Sequence, residues 1–221
     1  MTYTFQFGVV GTNLGFLLSG IYATLYVTIA ALAIGAVVGL VVGIGRLSKR
    51  RLLAALAGAY VEVFRNTPAL VQLIWVYYCL PILTGINMSA AVSCTIALAV
   101  NGAAYMAEIV RGGIQSIDRG QVEAARTLGL SHFQTMRKIV LPQAFRRMIP
   151  PFVNESVALL KFSSLVSVLG VADLTYQAQV LSTTTFRPIE IFTFVAIVYF
   201  ALCTVLSHCA RLLELRLAVS D

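Results

Sequence analysis

Charge is scarce in this sequence. Only 11% of its 221 residues are Asp, Glu, Lys or Arg, whereas 59% are hydrophobic, and the mean hydropathy is +0.87. A soluble domain of this length needs many more charged side chains to cover its surface. The composition therefore excludes an ordinary soluble globular protein and indicates an integral membrane protein.

Residue patterns that carry out chemistry are also missing. The two histidines, His132 and His208, are far apart, and no nucleophile–base pair or metal-ligand spacing appears. The four cysteines lie in apolar runs, where cysteine is commonly a small buried hydrophobe. The N-terminus lacks a basic leader and a convincing cleavage site, so we expect no removed signal peptide. The sequence favours neither a membrane enzyme nor a chain that binds a cofactor or metal.

What the sequence does contain is long apolar runs. A membrane helix needs about 20 predominantly apolar residues, and five crossings are predicted on this basis, at 20–45, 67–83, 89–110, 150–169 and 189–206. A short interfacial helix is predicted before the second crossing. Residues 1–19 form an external arm, and residues 111–149 form a long loop on the other side. The predicted fold class is an all-α integral membrane protein with one transmembrane domain over residues 1–221.

Basic residues predict the orientation of the crossings, because Lys and Arg accumulate in cytoplasmic segments. Most of them follow crossings one, three and five: Arg46, Lys49, Arg50, Arg51, Arg111, Arg119, Arg126, Arg137, Lys138, Arg146, Arg147, Arg211 and Arg216. The opposite side has only Arg187, balanced by Asp173 and Glu190. The N-terminus is therefore expected outside and the C-terminus inside. Orientation explains the net charge of +7 without a nucleic-acid partner.

Small residues recur within the first crossing. Gly35, Gly39 and Gly43 are four residues apart and so share one helix face. Such a face lets a neighbouring helix approach closely. Packing within the chain is the main interpretation, and a specific dimer contact is the alternative.

The polar stretch between the third and fourth crossings predicts two short helices. Asp118 followed by Gln121 has the spacing of a helix cap and capping box, and Ser131 followed by Gln134 repeats it. Gly129 is expected to end the first helix in the left-handed conformation. Pro142 is expected to end or kink the second. Two interpretations stay open at this level: a docking element for a partner, or an ordered loop that only joins two crossings.

A resemblance bears on this choice. The spacing of Glu123-Ala124-Ala125, Gly129, Ile139 and Leu141-Pro142 resembles, at every defined position, the EAA signature loop of ABC importer permeases. Residues 60–73, 104–117 and 159–165 resemble motifs of the polar amino acid subfamily. Two positions depart from it: Asn66 stands where glycine is more common, and Phe162 where Asn or Asp is more common. The second departure puts the type of substrate in doubt.

The resemblance implies a type I ABC importer permease, whose loop helix sits in a groove of a cytoplasmic ATPase. On that basis the ATPase-coupling residues are expected among 118–142, at Glu123, Ala124, Ala125, Gly129 and Leu130. Gly129 could equally have a structural role alone. The chain has no G-x-x-x-x-G-K-[ST] phosphate loop. ATP and magnesium are therefore expected on a partner chain.

The resemblance also implies a set of partners in the bacterial inner membrane. These are a dimer of ATPase subunits, a second permease subunit that is identical or related, a periplasmic or lipid-anchored solute-binding protein, a polar amino acid, and lipid. The alternative is an ion-gradient-driven secondary transporter or channel subunit. A short chain without a visible inverted repeat disfavours that alternative.

Polar side chains at membrane depth are costly, and so are candidates for a substrate pathway. If the fourth crossing starts near Pro150, Glu155 lies about 8 Å into the membrane and Lys161 about 16 Å, near the middle. Glu155 could hold the ammonium group of an amino acid and Lys161 its carboxylate, or both could be structural charges paired across helices. The other candidates are Asn154, Gln72 and Asn101.

Two further charged pairs are expected near the membrane boundary. Glu62 and Arg65, three residues apart, predict a local pair on one helix face. Glu108 is expected to pair with Arg111 or with another basic residue.

Overall fold

A computed structural model describes residues 3–217, and this part of the chain is helical and contains no strand. Its first half comprises α1 (Gly8–Thr12), α2 (Leu14–Arg46), α3 (Arg51–Arg65), α4 (Ala69–Ile74), a π-helical turn (Trp75–Cys79) and α5 (Leu80–Thr84). Its second half comprises α6 (Ala90–Gln115), α7 (Arg119–Thr127), α8 (His132–Thr135), a π-helical turn (Met136–Val140), α9 (Leu141–Phe162), a 3-10 helix (Ser163–Leu169), α10 (Leu174–Thr185) and α11 (Pro188–Leu217). Residues 1–2 and 218–221 of the predicted domain lie outside the described residues.

Membrane-spanning segments are evident from length and hydropathy. Within residues 3–217, four helical segments qualify: Leu14–Arg46, Ala90–Gln115, His132–Leu169 and Pro188–Leu212. A fifth candidate is divided by a break between Arg51–Arg65 and Ala69–Thr84. The all-α membrane class is confirmed, with five crossings when the divided pair counts as one. The side that each terminus faces stays a prediction.

Helix starts differ from the predicted ranges at the N-terminal end. α2 begins at Leu14 rather than at residue 20, and α1 precedes it, so much of the predicted arm is helical. The predicted break at residues 66–68 is present. Pro68 is extended, with φ −62° and ψ 134°, and α4 starts directly after it. A proline disfavours helical geometry at the residue before it, which explains why the chain pauses here.

Prolines in the fourth apolar segment do not end helices as expected. Pro142 lies in the first turn of α9, directly after the π-helical turn in which the Leu141 N–H bonds to the Met136 carbonyl. This wider turn accommodates a residue that has no N–H to donate. Pro150 and Pro151 both lie inside α9. The helix that carries the predicted fourth crossing therefore begins before residue 150 and continues through both prolines, because membrane helices tolerate internal proline.

α10 was not predicted from the sequence. Its start is capped by Asp173, whose Oδ1 accepts a hydrogen bond from the Tyr176 N–H at 2.8 Å. Asp173 is buried, and burial raises the pKa of its carboxyl group. Tyr199 of α11 donates to the other carboxylate oxygen at 3.3 Å. The Asp173 to Tyr176 spacing is a cap signal that could have been read in the sequence.

Two compact units can be distinguished within the chain. The first contains residues up to 33, 67–99 and 156–206. Its apolar core joins α1, the start of α2, α10 and α11 through Val10, Leu17, Leu174, Ala178, Leu181, Ile191 and Val195. Gly20 permits this contact, because a Cβ there would lie 2.6 Å from the Asp173 backbone.

The second unit contains residues 34–66, 100–155 and the segment from 207 onward. Here α2 packs against α6 through its glycines. A Cβ added at Gly39 would lie 2.6 Å from the Met106 Cβ, and one added at Gly43 would lie 2.8 Å from the Ala107 carbonyl oxygen. The close approach that the glycine repeat predicts is present, and its partner is a helix of the same chain.

Candidate functional site

The loop between α6 and α9 begins with a capped helix. Asp118 caps α7 by accepting a hydrogen bond from the Gly120 N–H at 2.6 Å. The cap is therefore where the sequence predicts it. The hydrogen bonds differ from those of the capping box predicted for Asp118 and Gln121. The Asp118 carboxylate accepts from the Gly120 N–H, and the Gln121 side chain accepts a hydrogen bond from Gln143 at 2.6 Å.

α7 ends in the turn that glycine permits. Gly129 has φ +76°, its N–H bonds to the Arg126 carbonyl at 2.9 Å, and the Leu130 N–H bonds to the Ala125 carbonyl at 3.1 Å. These two bonds form a Schellman motif, which satisfies carbonyls left open at a helix end. No heavy atom lies within 4 Å of an added Cβ at Gly129, so backbone conformation, not space, requires glycine here.

The second helix of the loop starts with the capping box that the sequence predicts. Gln134 N–H donates to Ser131 Oγ at 3.3 Å, and the Ser131 N–H donates to Gln134 Oε1 at 2.9 Å. Both bonds are local in sequence. The loop is thus two helical segments whose ends are fixed by their own side chains.

An apolar cluster fastens this loop to the helices on either side. It combines the end of α6, the loop and the start of α9 in Val110, Ile117, Val140, Ala144 and Met148. Val122 of α7 packs against the cluster. Arg147 adds a hydrogen bond to the Ser116 carbonyl. The loop is consequently attached to both neighbouring helices of its unit.

The five predicted coupling residues have different surroundings. Glu123, Ala124 and Gly129 are exposed, and Leu130 is half-buried. Ala125, in contrast, is buried. The most prominent apolar side chains are next to these positions: Leu128 is 79% exposed and Phe133 is 70% exposed.

The predicted pathway residues are divided between the two units. Gln72 and Lys161 belong to the first unit, and Asn101, Asn154 and Glu155 to the second. Gln72 is buried and donates to the Thr67 carbonyl at 3.1 Å, which ties down the start of α4. Asn101 donates to the Phe64 carbonyl at 3.2 Å. Each amide thus holds a backbone carbonyl of its own unit, and its place in a substrate pathway stays a prediction.

Glu155 is a carboxylate, unlike these two amides. Its Oε1 atom is buried and accepts no hydrogen bond from the described residues. Asn154 and Lys161 are exposed on the same helix. The depths of Glu155 and Lys161 in the membrane stay a prediction. Glu155 remains a candidate because a buried carboxylate oxygen without a donor is costly to maintain.

A charge cluster in the second unit was only partly anticipated. Glu108 of α6 pairs with Arg46 at the end of α2 and with Arg111, at 2.8 Å, one turn further along α6. Arg65 of α3 also approaches it, at 3.9 Å. The predicted pairing of Glu108 with Arg111 is present. The predicted Glu62–Arg65 pair is wrong, because Arg65 turns to Glu108 while Glu62 accepts from Asn66 at 2.9 Å.

A second cluster, in the first unit, was missed. Glu190 is fully buried at the start of α11 and accepts hydrogen bonds from Tyr3 Oη at 2.5 Å and the Gln6 N–H at 2.9 Å. Arg187 lies 3.7 Å from Glu190 and donates to the Thr4 carbonyl at 2.8 Å. The hydrogen bond to Glu190 raises the pKa of Tyr3. These contacts hold the N-terminal segment against α11, and only the tertiary fold brings them together.

Comparison with known proteins decides the family. The pattern of a family described as "Binding-protein-dependent transport system inner membrane component" matches residues 35–219. The chain belongs to this family. The glutamine transport system permease protein of Escherichia coli is 36% identical, over 97% of this chain and 99% of that protein. The arginine transport system permease protein of Bacillus subtilis is 34% identical, over 93% and 94%.

Solved structures place the fold in the same family. The crystal structure of an amino acid ABC transporter contains a chain that is 38% identical, with a TM-score of 0.91, over 97% of this chain and 100% of that one. Inward-facing structures of a methionine ABC transporter share the fold, with a TM-score of 0.79 at 21% identity. The resemblance to ABC importer permeases is confirmed. The chain is a multi-pass transport subunit and not an enzyme.

The geometry of the loop makes a direct prediction. Gly129→Ala should lower the protection of the 124–130 amides against hydrogen exchange about fivefold, because an L-residue in the left-handed conformation costs about 1 kcal/mol. Gly112→Ala is the matched control, since Gly112 is exposed within α6 and has open space at its Cβ. Equal protection of these amides in the two variants would show that Gly129 does not hold the loop.

Proposed function

We propose that this chain is the permease subunit of an ATP-driven importer that moves a polar amino acid across the bacterial inner membrane. The family membership and the printed functions of the relatives support the transport class. The observation that carries the coupling role is the two-helix loop, which is capped at each segment and exposes Leu128 and Phe133. The opposite pattern, a loose polar connector, would have no reason to present two large apolar side chains.

The loop is suited to transmit a partner's movement to α6 and α9. Its helices are short, and their ends are closed by the Schellman motif at Gly129 and the capping box at Ser131. Its apolar cluster attaches it to both α6 and α9. A partner that binds Leu128 and Phe133 and then moves would therefore displace α6 and α9 instead of bending the loop. In this scheme Glu123, Ala124, Gly129 and Leu130 contact the partner, and Ala125 keeps the helix seated.

The partner proposed to bind this loop is a dimer of cytoplasmic ATPase subunits. ATP and magnesium would be bound and used there, because this chain contains no phosphate-loop motif. A second permease subunit, a copy or a relative, would complete the membrane part. A periplasmic or lipid-anchored binding protein would deliver the solute. The distribution of basic residues supports a cytoplasmic position for the loop, with the N-terminus outside and the C-terminus inside.

The substrate pathway is proposed to involve α9. The buried Glu155 carboxylate has an oxygen that no described residue satisfies. An ammonium group is a suitable partner, because a charge-assisted hydrogen bond offsets the cost of the buried charge. Asn154 and the exposed Lys161 on the same helix are the remaining candidates, the latter for a carboxylate. Gln72 and Asn101 would act through the helix positions that they stabilise.

The coupling role can be tested on the exposed apolar pair. Replacing Leu128 and Phe133 together by Ala should weaken association with the ATPase subunit by about a hundredfold, because each side chain contributes about 1.5 kcal/mol when buried. Membrane insertion should be unchanged. Association can be measured by titrating labelled ATPase onto the reconstituted permease.

The control for this pair is Ile82→Ala. Ile82 is equally exposed but lies on α5, outside the loop. Affinity for the ATPase that is the same in the double variant and in the control would contradict docking at the loop.

The pathway role predicts a separable defect. Glu155→Gln should reduce solute uptake by about tenfold, the scale of one charge-assisted hydrogen bond, while ATPase association stays normal. Glu62→Gln is a matched control, because Glu62 is an exposed carboxylate that accepts a hydrogen bond from Asn66. Uptake that is equal in both variants would make Glu155 a structural residue.

A further inference from the structure

Positive charge is concentrated in the turn between α2 and α3. Arg46 ends α2, and Lys49, Arg50 and Arg51 follow before the first full turn of α3. Arg46 forms a salt bridge with Glu108. The other three side chains are exposed, and none forms a salt bridge with a described carboxylate. The turn therefore presents three cations that have no protein counter-charge within the described residues.

α3 adds an apolar face next to these cations. Leu52 and Leu56 are 73% and 61% exposed, and one helical turn separates them, so they share one side of the helix. Ala57 and Val61 face the other way and are buried. Ala57 lies against α2, 3.5 Å from a Cβ added at Gly45. The exposed leucines are thus not the face by which α3 packs on its own unit.

The depth of this surface follows from α2. This helix is the most apolar candidate span of the described chain, and its last residue is Arg46. A span that ends in a basic cluster reaches the headgroup layer at that point, and the cluster lies in it. A short helix with leucines on one side and basic residues at its start matches a segment that lies in the interface plane.

We propose that Lys49, Arg50, Arg51, Leu52 and Leu56, here called the basic surface, bind anionic phospholipid in the leaflet where α2 ends. The cations meet the lipid phosphates and anionic headgroups, and the leucines enter the adjoining acyl chains. Charge complementarity favours lipid over a protein occupant, because three cations without a counter-charge lie at headgroup depth. The proposal concerns the membrane and holds whatever solute is transported.

Photo-crosslinking tests which molecule covers the basic surface. Leu52 is replaced by p-benzoylphenylalanine in the full chain, assembled with its partners in nanodiscs that hold equal amounts of phosphatidylglycerol and phosphatidylcholine with identical acyl chains. The same replacement at Leu40 is the control, because Leu40 is 49% exposed but lies within the apolar span of α2. Adducts are identified by mass spectrometry.

At position 52 the phosphatidylglycerol adduct should exceed the phosphatidylcholine adduct about fivefold, the scale expected of one basic residue near an anionic surface. At position 40 the two adducts should be equal. Lys49→Gln, Arg50→Gln and Arg51→Gln together should abolish the preference at position 52, and Arg50→Lys with Arg51→Lys should keep it. A protein adduct at position 52, equal ratios at both positions, or a preference that survives removal of the three charges would each overturn the proposal.

Discussion

Hydrocarbon supplies no hydrogen-bond partners to a polypeptide backbone, and the arrangement of this chain follows from that constraint. Every segment at membrane depth must satisfy its own N–H and carbonyl groups, which makes helices the only option for a chain of this type. The same constraint explains why the helical segment continues through Pro142, Pro150 and Pro151. It also concentrates charge at the span ends, where Arg46, Glu108 and Arg111 meet.

Because helices in lipid gain little from the hydrophobic effect, their association depends on close fit. Gly39 and Gly43 bring α2 against α6 in one unit, and Gly20 brings α2 against the start of α10 in the other. These contacts fix helix positions within each unit. The loop between α6 and α9 depends on this fixed framework, since its apolar cluster is built on the ends of those two helices. The proposed coupling role requires such a rigid attachment, because a flexible one would absorb a partner's movement instead of passing it to α6 and α9.

Helix caps and apolar runs could be predicted from the sequence, because both depend on residues that are close together in the chain. Asp118, Gly129 and Ser131 mark the ends of the loop helices because capping depends on residues a few positions apart. Long apolar runs likewise located the spans, and the predicted starts of the third and fifth lie one residue from the starts of α6 and α11. The start of α2 and the continuation of α9 through proline were missed, since both depend on what surrounds the helix.

Contacts between residues that are distant in the chain could not be predicted from the sequence. Nothing local indicates that Arg65 turns to Glu108 instead of Glu62, or that Tyr3 and Gln6 reach Glu190. Their partners are set by which helices the fold brings together. The pathway candidates show the same limit: polarity at membrane depth selected Gln72 and Asn101, whereas the structure gives them backbone partners. Glu155 was selected by the same criterion; its Oε1 atom has no described donor, and its place in the pathway stays a prediction.

In the proposed function, this chain moves solute only when a separate ATPase drives it. The direct measurement is uptake by proteoliposomes that contain the assembled complex, with binding protein and radiolabelled amino acid outside. ATP and magnesium are enclosed in one set of vesicles, and a sodium or proton gradient without nucleotide is imposed on another. The account predicts uptake with enclosed ATP and none with either gradient. Uptake that follows an ion gradient in the absence of nucleotide would contradict it.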